Sequence, residues 1–127
     1  MFNKVVFVGY LTRDVEVRFT PSGIAVATIP LAINTKTKSG DEVREEELFI
    51  DCVVFGKQAE NSGQYLSKGS LALIEGRLRK KEWEYEGQKK SKMEVIANTV
   101  RFLSLKKDVD TPIVDENSEV PEREEPF

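Results

Sequence analysis

Along residues 77–85, Arg-Leu-Arg-Lys-Lys-Glu-Trp-Glu-Tyr, cations and aromatic rings recur with a period of two. In an extended strand every second residue shares a face, so Arg77, Arg79, Lys81, Trp83 and Tyr85 project from one side. Such a surface suits an unpaired nucleic-acid strand, because cations follow the phosphates while flat rings stack on the bases. The same residues also fit a solvated edge strand, whose charges discourage sheet-to-sheet aggregation. A second set of candidates lies in residues 46–55. There Leu48, Ile50, Cys52 and Val54 form a wholly apolar face expected in the core, and Glu47, Phe49, Asp51, Val53 and Phe55 form a mixed one. Side by side, the mixed face and the basic-aromatic face would make one open groove with Phe49, Phe55 and Trp83 as stacking residues. Phe55 serves equally well as core, whereas Trp83 is ringed by charges. Asp51 would repel phosphate unless Arg77 or another cation pairs with it. Lys4, Arg18, Lys36, Lys38, Lys57 and Lys68 are further candidates for phosphate contact, or simply solvated surface.

The elements that must position these residues follow from the periodicity. Residues 3–11 form a nearly continuous apolar run rich in β-branched and aromatic residues, expected as a strand covered on both faces. Val15, Val17 and Phe19 alternate with Glu16 and Arg18, which continues that strand past a bend near residues 9–13. Pro21-Ser22-Gly23 is a turn. The second strand spans residues 24–34, with Pro30 tolerated only where the ladder does not need its missing amide. Residues 35–45 are expected to form a mobile basic loop, and residues 46–55 the third strand. Ala59, Ser62, Gly63 and Leu66 recur at helical spacing, predicting a short helix before the Lys68-Gly69 turn. A long strand over residues 70–85, a Glu86-Gly87 hairpin turn and a return strand over residues 90–103 complete the pattern. The expected fold is all-β: a five-stranded closed barrel of the OB type with one short helix between strands 3 and 4.

Composition narrows the chemistry. The 127 residues suffice for one core and a tail, giving a domain over residues 1–105 and a tail over residues 106–127. Cys52 is the only cysteine and there is no histidine, which excludes an intrachain disulfide and removes the commonest general base and metal ligand. No cofactor, metal or enzymatic activity is expected. Without a long apolar run or a secretory h-region, the chain is expected to be cytoplasmic with no membrane partner. The net charge of −3 conceals an uneven distribution. From Lys106 onward three basic residues face eight acidic ones, leaving −5, so the first 105 residues carry +2. That tail lacks the apolar surface to offset ordering and is expected to be disordered. Its tip, Glu124-Glu125-Pro126-Phe127, suits docking into a basic-rimmed apolar pocket of another protein, with the terminal carboxylate captured as an anion.

These residues bring a family into view. Asn3-Lys4-Val5-Val6-Phe7-Val8-Gly9, Asp14-Val15-Glu16-Val17-Arg18, Val53-Val54-Phe55-Gly56-Lys57-Gln58-Ala59-Glu60, Tyr65-Leu66-Ser67-Lys68-Gly69-Ser70 and Ile74-Glu75-Gly76-Arg77-Leu78-Arg79, with the Pro-Phe end, resemble the bacterial single-stranded DNA-binding protein family. The resemblance implies an OB-fold core, usually homotetrameric, that binds single-stranded DNA without sequence specificity in replication, recombination and repair. It also implies a C-terminal tip that recruits replication and repair proteins. By position it assigns base stacking to Phe49, Phe55 and Trp83, and DNA contact to Lys57, Lys68, Arg79 and Lys81. The chain departs from the family pattern in carrying Thr35 and Thr37 where many relatives have tryptophan, Phe49 where tryptophan is common, and Arg123 within the acidic tip. An RNA or primosome-type binder and a barrel that serves only protein interaction remain the alternatives.

Overall fold

The computed structural model describes residues 1–104. Its strands are β1 (Val5–Leu11), β2 (Glu16–Phe19), β3 (Ala25–Ser39), β4 (Glu42–Phe55), β5 (Leu71–Tyr85) and β6 (Gln88–Phe102), with α1 (Lys57–Tyr65) between β4 and β5. The sheet order is β1-β5-β6-β4-β3-β2, and an added β1–β3 pairing closes five of these strands into a barrel. β1 and β2 are the two halves of the first strand expected from the sequence, separated by the bend at residues 12–15. The reading of residues 106–127 as a disordered tail with a docking tip lies outside the described residues.

Alternation decides which side chains fill the barrel. Leu11, Ala25, Ala27, Ile29, Leu31, Cys52, Val54, Ala72, Ile74, Val95 and Ala97 point inward and are buried. The helix adds Ala59, with Leu66 just beyond its end. Pro30 sits where β3 changes neighbour: β2 pairs up to Thr28 and β1 from Leu31. Its carbonyl accepts a 3.0 Å bond from the Thr12 amide, so its nitrogen faces the same gap, where no ladder bond is lost. The β5–β6 ladder shifts register at Glu75/Gly76, leaving Asn98 without a partner in β5. Gln58 of α1 compensates: its side-chain amide donates to the Asn98 carbonyl at 3.0 Å and its oxygen accepts the Val100 amide at 3.0 Å. Gly76 is required there, since a Cβ would lie 2.8 Å from the Ala97 Cα and still closer to the Ile96 carbonyl oxygen.

Three expectations need correction. Residues 35–45 are not a loop. β3 and β4 run on as a hairpin from Thr35↔Glu46 to Ser39↔Glu42, turning at Gly40-Asp41, so the ladder outlasts the apolar pattern. Leu48 is not in the core, because it lies opposite Ile33 at the foot of this hairpin, past the buried wall, and is exposed. β1 is apolar on both faces but covered on one only: in the single chain Val6, Val8 and Tyr10 stay exposed.

Candidate nucleic-acid interface

The barrel closes where β4 meets β6 in parallel, Asp51↔Glu94, Cys52↔Val95 and Val53↔Ile96. On the far side of β6, Ile96 faces Arg77 and Glu94 faces Arg79 in the antiparallel ladder. Residues opposite one another share a face, so the outward rows are Val53-Ile96-Arg77 and Asp51-Glu94-Arg79. Continuing by twos brings Phe49 onto the face from β4, Lys92 and Lys90 from β6, and Lys81 and Trp83 from β5. The mixed face of β4 and the basic-aromatic face of β5 thus belong to one surface, but they are not side by side as the sequence reading expects: β6 lies between them.

Beyond Asp51 and Glu94 the β4–β6 pairing ends, and the β3–β4 and β5–β6 hairpins diverge. The cleft between them is an open groove of about 470 Å³, lined by Arg13, Phe49, Asp51, Lys92 and Met93 among others. The β5–β6 hairpin turns at Glu86-Gly87, both with positive φ (52° and 77°), the backbone of a type I′ turn that keeps the ribbon's right-handed twist. Trp83 stands on this ribbon opposite Lys90.

All three stacking candidates are accessible: Phe49 is 63%, Phe55 47% and Trp83 42% exposed. Exposed aromatics outside the core are the feature a base-stacking surface requires. Phe55 ends β4 six residues from Phe49, about 20 Å along the strand. Lys57 follows it at the start of α1, 3.8 Å from Glu60. Lys68 is set apart, in the loop before β5, where its backbone amide donates to Asp14 at 2.8 Å. It is not brought together with Trp83, which lies near the other end of that strand.

The charges are partly committed to one another. Lys92 Nζ lies 2.7 Å from Asp51 Oδ2, so the cation beside Asp51 is Lys92 and not Arg77. Glu94, 2% exposed, accepts from Arg79 Nε at 3.0 Å and also from Arg79 Nη2. Lys4 pairs with Glu75. Arg77 and Lys81 have no ion-pair partner among the described residues. Under this face Cys52 is fully buried, and burial together with the neighbouring Asp51 charge pushes its thiol up to about 12, which makes it structural and inert. Missed from sequence were Lys92 and Glu94, two cross-strand partners that only the register could reveal.

Among the described residues, no group of three or more His, Cys, Asp or Glu is placed to hold a metal ion. No described helix is long and apolar enough to cross a membrane.

Known proteins resemble this chain in sequence and in fold. The chain is 48% identical over 101 residues to the single-stranded DNA-binding protein of Treponema pallidum, covering 80% of this chain and 57% of that one. It is 48% identical over 110 residues to the protein of that name from Helicobacter pylori, covering 85% and 62% respectively. The chain therefore spans less than two thirds of the length of these relatives. Among solved structures, the fold matches the single-stranded DNA binding protein from Thermus aquaticus, in a deletion mutant, with a TM-score of 0.72 and 35% identity. That match covers 81% of this chain and 51% of the other. A Plasmodium falciparum SSB in complex with single-stranded DNA matches with a TM-score of 0.76 and 25% identity, covering 82% and 96%. Residues 2–103, the whole barrel and both ribbons, match the model of one family, and with relatives at this level of identity the chain belongs to the single-strand binding protein family.

Proposed function

We propose that this protein binds single-stranded DNA without sequence specificity and protects it during replication, recombination and repair. The observation that carries the proposal is the single outward face across β4, β6 and β5, which presents Phe49, Phe55 and Trp83 with Arg77 and Lys81. Each stacked base is worth about 1–3 kcal/mol, so two or three aromatic contacts outweigh a few solvent-screened surface charges. Stacking reads no base identity, which accounts for the absence of sequence preference. Lys57 and Lys68 extend the cationic path beyond the face. Arg79 serves mainly through its bond to Glu94, holding β5 against β6.

The protein acts as a homo-oligomer, with a tetramer as the expected state. β1 supports this reading: Val6, Val8 and Tyr10 form an exposed apolar row, and β1 pairs with β3 only at its end, so the rest of that edge is open. Glu124, Glu125, Pro126 and Phe127 are assigned to the recruitment of replication and repair proteins by the chemistry of their sequence.

Titrating the fluorescence of Trp83, the only tryptophan, with oligo(dT) at several salt concentrations tests the proposal, with duplex DNA and oligo(rU) as competitors. Strong quenching that duplex and RNA fail to reverse is expected, with a salt slope of about −0.7 per phosphate neutralised. Neither quenching nor a mobility shift would overturn it in favour of a protein-interaction barrel.

A further inference from the structure

The outer face carries two carboxylates side by side at its centre, an arrangement that should disfavour a polyanion. Asp51 and Glu94 are register partners on adjacent parallel strands, and each is neutralised by one cation. The two pairs differ in what an incoming phosphate can do to them. Glu94 is 2% exposed and receives both Arg79 Nε and Nη2, so withdrawing Arg79 would strand a buried charge. That pair is fixed. Asp51 and Lys92 have side chains 26% and 43% exposed and share one 2.7 Å contact. Both line the open groove beside Phe49 and Arg13. An ammonium group has three donors, so Lys92 can turn towards a phosphate in the groove while Asp51 competes for it.

Building on the proposed function, we infer that Asp51 is an affinity-setting residue of the DNA face, an internal competitor that holds Lys92 when the groove is empty and yields it when a phosphate arrives. Three consequences follow from charge alone. The carboxylate weakens DNA binding, because capture of Lys92 by phosphate must first break an ion pair. It flattens the salt dependence, because the counterion that Lys92 displaces from the DNA is offset by the cation that the abandoned Asp51 carboxylate takes up. It also speeds departure of the strand, since Asp51 reclaims Lys92 as soon as the phosphate lifts. Arg79, though it carries the same charge, cannot play this part.

The test compares the wild-type protein with Asp51→Asn, Lys92→Gln and the double variant, by anisotropy of labelled oligo(dT) across a salt series, with thermal melts in parallel. Asp51→Asn is expected to bind about three- to tenfold more tightly at low salt, with the salt slope steeper by up to about 0.7. The gain and the steeper slope must both vanish when Lys92→Gln is added. Asp51→Ser removes the same charge with a smaller side chain and must behave as Asp51→Asn does, which separates charge from packing. Unchanged or weaker binding by both Asp51 variants overturns the inference, and so does a gain that survives in the double variant, which would mean plain repulsion without Lys92. If the wild-type protein itself ignores oligo(dT), the proposed function falls and this inference with it. If wild type binds and only the Asp51 effect is missing, the inference alone falls.

Discussion

Replacing Trp83 with alanine separates stacking from folding and from charge. Trp83 lies on the protruding part of the β5–β6 ribbon and outside the buried core cluster. Its loss should therefore leave barrel closure at β4–β6 intact and the melting temperature nearly unchanged. What disappears is one aromatic platform, worth about 1–3 kcal/mol. At about 1.4 kcal/mol per decade this is a roughly 5- to 150-fold weaker complex. The ring carries no charge, so the salt slope of the variant should equal that of wild type, while Lys81→Gln should flatten it by up to about 0.7. Since the substitution deletes the only tryptophan, the assay is anisotropy of a labelled oligo(dT), repeated over a salt series. Trp83→Phe keeps a smaller ring and should recover most of the affinity. An Ala variant that binds within twofold of wild type would remove Trp83 from the site. An altered salt slope would refute the division of labour between rings and cations.

Three further outcomes follow from particular contacts. Gly76→Ala drives a Cβ into the Ile96–Ala97 backbone at the β5–β6 register shift, and should cost about 1–3 kcal/mol in urea unfolding; unchanged stability would mean the ladder can shift there. Arg79→Ala leaves Glu94 buried without its cation and should destabilise the fold by on the order of 3 kcal/mol, seen as a lower denaturant midpoint, whereas Lys81→Ala should barely move it. Cys52 should resist thiol reagents at pH 8 in the native protein and react at once in denaturant. Its folded value of about 12 lies above the ordinary 9.0, so its contribution to stability is complete below pH 9 and lost as pH rises from 9 to 12. An unfolding series across that range should show the decline.

Much of the fold was legible because apolar alternation tracks the barrel wall. Cys52 and Val54 are buried where their spacing puts them, and Glu86-Gly87 turns the hairpin its chemistry predicts. Legibility ends where the wall ends. Residues 35–45 have no apolar stripe because both faces of that ribbon are wet, so composition suggested a loop while the β3–β4 ladder made strand. Leu48 misled for the converse reason, continuing an apolar series past the rim. In the candidate site, alternation grouped Trp83 with Arg77, Arg79 and Lys81 on one face of β5 and Phe49 with Phe55 on one face of β4, since period two needs no knowledge of partners. The Lys92–Asp51 and Arg79–Glu94 pairs join strands through a register that no single segment encodes.

The parallel seam between β4 and β6 also bears on how the molecule comes to exist. The β3–β4 and β5–β6 hairpins are local, each nucleated at its own turn, but Asp51 and Glu94 meet across 43 positions of chain through only three paired positions. Joining them carries the larger loop-closure entropy and repays it only once the seam is complete. The ribbons should therefore form before the seam. Because the outward face is assembled across that seam, refolding protein would gain affinity for oligo(dT) only after the strand signal of the two ribbons has returned.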